Sequence, residues 1–363
     1  MHERGVKRMK TRLKNTKMFG LLATLLFVLA GCGQKHLSVL HPAGEVADKQ
    51  FFLLMLSIGI MLLVIVVVVV IFLFAMIKFR RKKLGEDYVP KDVEGNHKLE
   101  LVWTIIPIIL LIILAIPTVM LTFSLGDTKA IDKVDEKGKS KELVIDVTAN
   151  LYWWEFSYPN EKIVTSQELV VPTDKKVYFR LHSADVKHSF WVPAVGGKLD
   201  TNVEGINKFY LKFDDKRAKE VKNLFYGKCA ELCGPSHALM DFKVKALPQD
   251  DFDKWVKDMK DVKKPVAATS SQAKEGEKVF NKSCAGCHAV TPTGDGAKGP
   301  NLTNFGDRDL IAGYLKHDEE NLKKWIKDPE SVKPGNKMTG QYKVSDEDID
   351  ALSAYLMERK VDK

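Results

Sequence analysis

The sequence has little cysteine, five residues in 363, and no internal repeats. The first scarcity excludes a disulfide-rich framework, and the second excludes a solenoid or propeller. The formal net charge of +9 suggests nucleic acid or an acidic partner until it is mapped. Residues 1–18 carry a net +6, the run Lys78, Arg80, Arg81, Lys82 and Lys83 a further +5, and everything else nets −2. A spread of basic charge is therefore what the chain lacks, and nucleic-acid binding loses its electrostatic basis. Both patches flank hydrophobic runs, as basic residues do on the cytoplasmic side of membrane spans.

Three such runs are present. Met18–Cys32 is short, follows a basic region and ends in small residues, the pattern of a signal peptide over residues 1–31. Its last residues, Leu29-Ala30-Gly31-Cys32, resemble a bacterial lipobox, which implies cleavage before Cys32 and lipidation of its thiol; the alternative is an unmodified Cys32 in an uncleaved anchor. Phe51–Ile77 has 27 residues without a charge and Leu101–Leu125 has 25. Each is long enough to cross a bilayer, which takes roughly 20 apolar residues. Pro107 and Pro117 interrupt the second span, as membrane helices tolerate. The connector 78–99 holds the basic cluster and is expected inside, so Cys32 and the chain from about residue 126 are expected outside.

The outer part reads as two domains. "ELVIDVTANLYWWEF" (142–156), "KKVYFRLH" (175–182) and "NKFYLKF" (207–213) have the β-branched and aromatic character of strands, and an all-β sandwich over 126–260 is expected. A small, polar linker follows at 261–272. In 273–363, "EGEKVF", "LIAGYLKHDEENLKKWIKD" and "DEDIDALSAYLMER" show helical spacing with charged outer faces, so a small α domain is expected.

The cysteines carry the chemistry. Cys284 and Cys287 lie in "CAGCH" with His288, the spacing of c-type haem attachment, in which two thioethers fix the porphyrin and the histidine binds iron. A redox pair or half a zinc site is the blander reading. The second axial ligand must come from farther along the chain. Met338, in the Pro/Gly-rich loop "KPGNKMTG", is favoured over Met357 in the apolar pattern "IDALSAYLM" and over His317, which reads as part of a solvated helical face. A methionine–histidine pair suits electron transfer because it raises the potential. "GKCAELCGPSHALM" places Cys229, Cys233, His237 and Met240 within twelve residues, and His188 precedes the aromatics of "HSFW". A disulfide would explain the two thiols but neither His237 nor Met240. Zinc has little need of a thioether, whereas thiolate and thioether together select copper. One blue copper needs a single cysteine; two coppers bridged by both sulfurs use every residue.

At these residues the chain resembles subunit II of the haem–copper cytochrome c oxidases over roughly 45–250, through "ELVWTIIP", "YWWEFSYP", "HSFWVPAVGGKLD" and the cysteine stretch. The resemblance implies a cupredoxin-like sandwich holding a binuclear CuA centre. Cys229 and Cys233 would bridge the coppers, His188 and His237 would bind one each, and Met240 and the Glu231 carbonyl would complete the sites. The Glu231 carboxylate would reach magnesium at the interface with the catalytic subunit. Glu100 matches a carboxylate at the mouth of a proton path, or else is an interfacial charge capping the second span. The family's electron-accepting aromatic run is Trp-Tyr-Trp; here it reads Tyr152-Trp153-Trp154, which leaves the conducting ring open. After Asp200 the chain reads "TNVEGIN" where the family often shows Pro-Gly-Arg. The C-terminal part looks like a class I cytochrome c fused to the subunit. The resemblance thus implies the electron-input subunit of a proton-translocating terminal oxidase of the plasma membrane, partnered by subunit I with its haems and CuB, other oxidase subunits and an external donor. A copper-delivery lipoprotein, the corresponding subunit of a nitric oxide reductase and a quinol-oxidising homologue are the competing classes.

This topology predicts that protease added to intact protoplasts removes both outer domains and spares the hairpin. Protection of the outer part, read by peptide mapping, would reverse the orientation.

Overall fold

A computed structural model describes residues 33–363, apart from Glu86, Asp87, Pro90, Lys137, 263–266, Asp295, Gly296, Asp362 and Lys363, together with Gly20 and Thr24. The lipobox and Cys32 lie outside the described residues. Among those described, two helices are long and apolar enough to cross a membrane. Helix α1 (Glu45–Lys78) and helix α2 (His97–Leu125) contain the two charge-free runs and extend them at both ends or at the start. Asn96 caps α2, its side chain accepting from the backbone N–H groups of Lys98 and Leu99. Pro107 and Pro117 sit inside α2 without ending it.

Ten strands follow: β1 (Leu143–Asn150), β2 (Trp153–Tyr158), β3 (Ile163–Ser166), β4 (Glu168–Pro172), β5 (Lys176–Ser183), β6 (His188–Trp191), β7 (Leu199–Thr201), β8 (Asn207–Lys212), β9 (Leu224–Cys229) and β10 (Phe242–Leu247). They form two five-stranded sheets, ordered β3-β2-β1-β5-β8 and β4-β10-β9-β6-β7. The stretch 142–156, read above as one strand, is a hairpin: β1 and β2 pair antiparallel from Asp146↔Ser157 to Asn150↔Trp153. Its turn contains neither Gly nor Pro and is stapled from a distance, the Asp185 carboxylate accepting from Leu151 N–H at 2.8 Å.

Alternation in β2 sends Trp154, Phe156 and Tyr158 inward, all with no exposed surface. Trp154 and Phe156 meet Phe190 and Phe242 of the facing sheet, which stack at 4.8 Å, while Trp154 meets Phe190 edge-on at 5.7 Å. Each such ring contributes about 1.5–3 kcal/mol on burial, and together they make a stiff floor beneath the loops at one end of the sandwich.

After the sandwich, helix α3 (Gln249–Asp261) packs back on it, Trp255 against Tyr158 at 5.3 Å. The C-terminal domain contains α4 (Ser271–Ser283), α5 (Glu319–Lys327) and α6 (Asp346–Met357) around its own core. Helical spacing over 310–328 overstates the helix there. Residues Leu310–Ile311 and Leu315–Lys316 pair as a ribbon, because Ala312 and Gly313 take positive φ values (51° and 90°) that turn the chain back. His317 accordingly lies half-buried against the Phe305 ring at 5.1 Å rather than on a solvated helix. Met357 packs against the core of this domain.

Helices α4 and α6 approach so closely that a Cβ on Gly276 would run into the Ala351 carbonyl and lie 2.8 Å from Tyr355 Cβ. Gly276→Ala should therefore destabilise this domain by about 1–3 kcal/mol, despite alanine's better helix propensity. A denaturant midpoint at or above the parent's would show the contact to be slack.

Candidate metal centres

The first centre forms where β6 lies antiparallel to β9, in the register Phe190↔Cys229. That pairing carries His188, at the start of β6, to the end of β9, where Cys229 begins the connecting loop. His188 is fully buried and its Nδ1 lies 3.9 Å from Cys229 Sγ. The loop then returns Cys233 Sγ to 3.9 Å from Cys229 Sγ, far beyond the ~2.05 Å of a disulfide. Both thiols are free. His237 Nδ1 stands 3.6 Å from Cys233 Sγ, and the buried Met240 Sδ lies 3.9 Å from the same sulfur. The Glu231 carbonyl is 3.3 Å from Cys229 Sγ. All six positions named from the sequence thus meet in one corner, and the ligand atoms of His188, Cys229 and Cys233 lie within 4.8 Å of one another.

The electrostatics suit a metal. The hydrogen bond from Cys233 holds Cys229 well below the ordinary thiol range, against the effect of burial. The same contact and burial push Cys233 up. A cation placed between the two sulfurs would displace the protons they carry. Burial disfavours the charged form of His188, but hydrogen bonds to Asp185 and Cys229 outweigh it and raise the histidine. Asp185 Oδ1 lies 2.9 Å from His188 Nε2, which leaves Nδ1 facing the sulfurs. This is the carboxylate–histidine arrangement that orients metal-bound imidazoles. Burial opposes ionisation of Asp185, yet hydrogen bonds from His188, Lys337 and the N–H groups of Leu151 and Val186 keep it well below the usual carboxylate range. Sequence reading missed Asp185; its place three residues before His188 was the available signal.

The aromatic run splits by depth. Trp154 is buried and its Nε1–H donates to the Met240 carbonyl at 3.2 Å. Trp153 is half-buried. Tyr152 is 4 % exposed, and a Cβ added to Gly335 would lie 3.4 Å from its hydroxyl. Glu231 turns its carboxylate outwards, 3.9 Å from Lys198 Nζ. Glu100 is half-exposed in the first turn of α2, 3.6 Å from His97 Nδ1; a carboxylate there complements the helix dipole.

The second centre lies at the end of α4. Cys284 caps that helix, and a tight turn brings the N–H groups of Cys287 and His288 to the Cys284 carbonyl, each at 3.0 Å. His288 Nδ1–H donates to the Pro300 carbonyl at 2.8 Å, which fixes the ring and leaves Nε2 for a metal. Burial lowers this histidine and so favours the neutral form, the form that binds iron. Met338 sits half-buried in a loop organised by Asn336, whose Oδ1 accepts from the N–H groups of Met338 and Thr339, each at 2.9 Å.

A membrane-anchored chain with a sulfur-rich metal corner and a haem-attachment turn belongs among respiratory electron carriers, and the comparisons narrow this. Residues 43–121 match the family described as the transmembrane domain of cytochrome c oxidase subunit II, 155–247 its periplasmic domain, and 273–360 cytochrome c. The chain is 59% identical over 359 residues to "Cytochrome c oxidase subunit 2" of Bacillus sp. (strain PS3), spanning 98% of this chain and 100% of that protein. It is 54% identical over 350 residues to the protein of the same name from Bacillus subtilis, at 95% and 98% coverage. "Quinol oxidase subunit 2" of Bacillus spizizenii matches at 39% over 240 residues, 65% of this chain and 70% of that protein. The chain belongs to the cytochrome c oxidase subunit II family, fused to a C-terminal cytochrome c domain, and so to a haem–copper oxidoreductase. The periplasmic-domain match implies copper and the cytochrome c match implies haem c.

The sequence expectation that Met338 is the second axial ligand predicts that Met338→Ala removes the sulfur-to-iron charge-transfer band and opens the haem to carbon monoxide, leaving the copper signal unchanged. Persistence of that band would move the ligand elsewhere, with Met357 the next to replace.

Proposed function

We propose that this chain is the electron-input subunit of a terminal oxidase, passing electrons from its cytochrome c domain through a binuclear CuA centre to a catalytic subunit that reduces oxygen to water with proton translocation. The observation that carries the reading is the meeting of two thiols, two imidazoles, a thioether and a backbone carbonyl in one corner. In it Cys229 and Cys233 would bridge two coppers, His188 and His237 would bind one each, and Met240 and the Glu231 carbonyl would complete the sites. Cys284 and Cys287 would hold haem c covalently, with His288 and Met338 on its iron. Copper and haem in these places would supply reversible one-electron chemistry.

The protein's own part is rigidity. His188 and Cys229 stand on paired strands, Asp185 fixes the imidazole, and Trp154 anchors the backbone at Met240. Ligands held this way keep their places when charge changes, and the surrounding apolar floor shields the buried Cys229 from water. Of the three aromatics, Tyr152 is the best-supported conductor, because it lies between the copper loop and the loop of Met338. The outward Glu231 carboxylate would meet magnesium against subunit I. Glu100 would stand at the mouth of a proton path. Lipidation of Cys32, the extracytoplasmic placing of both metal domains and an external donor complete the reading, with boundaries as expected from the sequence.

Cys233→Ser tests it in the purified oxidase. The delocalised two-copper paramagnetic signal should vanish while the haem c spectrum persists. Electron transfer to oxygen should fall by more than the ~10–100-fold typical of residues that only support a ligand. An unchanged copper spectrum would refute the assignment.

A further inference from the structure

The two metal domains are joined through a chemically unusual contact. Lys333, five residues before Met338, is 3 % exposed, and among the described residues no carboxylate is hydrogen-bonded to its amine. Its Nζ donates to the Tyr152 carbonyl of the sandwich at 2.7 Å and to the Ala312 carbonyl of its own domain, also at 2.7 Å. A lysine in a Pro/Gly-rich surface loop ordinarily extends into water. Burying an amine costs free energy unless its hydrogens find acceptors, and here both acceptors are main-chain oxygens on either side of a domain boundary. Burial lowers the amine to about 7. Protonated or neutral, it has at least two hydrogens, so both bonds are available in either form.

The same patch shows further contacts. Ser236 Oγ, beside the copper ligand His237, donates to the Pro334 carbonyl at 2.7 Å. A Cβ on Gly335 would lie 3.1 Å from Pro235 Cγ. The turn of the ribbon at Gly313 is pressed onto the sandwich, where a Cβ would meet the Asp241 carbonyl and come within 2.7 Å of Gln167 Nε2. Lys337 Nζ lies 2.9 Å from Asp185, the carboxylate that orients His188, but that lysine is largely exposed. Away from the patch, Val164 N–H donates to the Pro292 carbonyl at 2.7 Å and Asn301 N–H to Ser166 Oγ at 2.9 Å.

We propose that Lys333 is a positioning residue, a buried pin that locks the cytochrome domain onto the copper domain with the Met338 loop seated on Tyr152 and the 234–236 turn. The proposal rests on the function argued above. A tether alone supplies only a high effective concentration and leaves orientation free. The pin selects one orientation. Lys337–Asp185 is the weaker, solvent-screened partner of this lock.

Lys333→Met in the full chain within the purified oxidase tests it. Methionine fills the same space but leaves two acceptors bare in a dry interface, which should lower the docked-to-undocked ratio by about tenfold or more. Hydrogen exchange at the amides of Val164 and Asn301, whose bonds cross the interface, should quicken by that factor. Amides within each sheet and helix should keep their protection. Flash-induced electron transfer from haem to copper should slow and become sensitive to ionic strength, because the exposed Lys337–Asp185 pair then bears a larger share of the docking. The haem and copper spectra should not change. Parent-like exchange and salt-insensitive transfer in this variant would overturn the pin. Should the variant fail to assemble, acylation of lysines in the parent oxidase decides: Lys333 protected while Lys337 reacts supports the pin, and equal reactivity refutes it. Loss of the copper or haem signals in the parent itself would count against the function argued above rather than against the pin.

Discussion

The antiparallel pairing of β6 with β9 is the constraint on which the copper corner depends. The residue pairs Phe190↔Cys229 and Trp191↔Lys228, with the bond from Ala230 N–H to the Ser189 carbonyl at 3.0 Å, define it. A shift of one residue would turn His188 to the opposite face of the sheet and leave the sulfurs without their first imidazole. The register is held by the aromatic floor, since Phe190 is fully buried among Trp154, Phe156, Phe179 and Phe242. Packing a ring of that size elsewhere would leave a cavity, with a cost of about 3–5 kcal/mol for loss of a buried phenylalanine.

Around that register the polar groups are arranged in layers. Asp185 sits between His188 and its surroundings, bonded to that imidazole, to Lys337 and to the turn of the β1–β2 hairpin at Leu151. One carboxylate thus ties together the imidazole of the candidate metal corner, a strand connection and the neighbouring domain. Tyr152, at the end of that hairpin turn, presents its carbonyl to Lys333 and its ring to Gly335. The hairpin that looked like a single strand in sequence is therefore the element from which both domains are referenced.

The fusion of a cytochrome domain changes what a copper domain's outer surface must do. A surface that meets a diffusing donor has to release it, and salt-screened lysine–carboxylate pairs suit that purpose. A surface that keeps its partner can use buried, directional bonds from one amine to two carbonyls. Both kinds of contact are present side by side, the exposed Lys337 and the buried Lys333, within five residues of each other.

Local spacing was enough to reveal much of this protein. The two spans, the haem turn at Cys284, Cys287 and His288, and the cluster from Cys229 to Met240 are legible because the groups that act together lie within a few residues or one unbroken run. The hairpin turn at Leu151, the ribbon at 312–313 and the burial of His317 were not legible: in each case a distant contact or a positive φ overrode local propensity. The distance between His188 and Cys229, 41 residues apart in the chain, was decided by sheet register. The bond from Lys333 to Tyr152, across 181 residues, was decided by how two finished domains meet. Sequence alone determined which atoms could bind metals and where the membrane lies, since both depend on side-chain chemistry and run length. Only the tertiary structure decided which of those atoms share a site and which lysine is buried, because both depend on what the rest of the chain brings alongside.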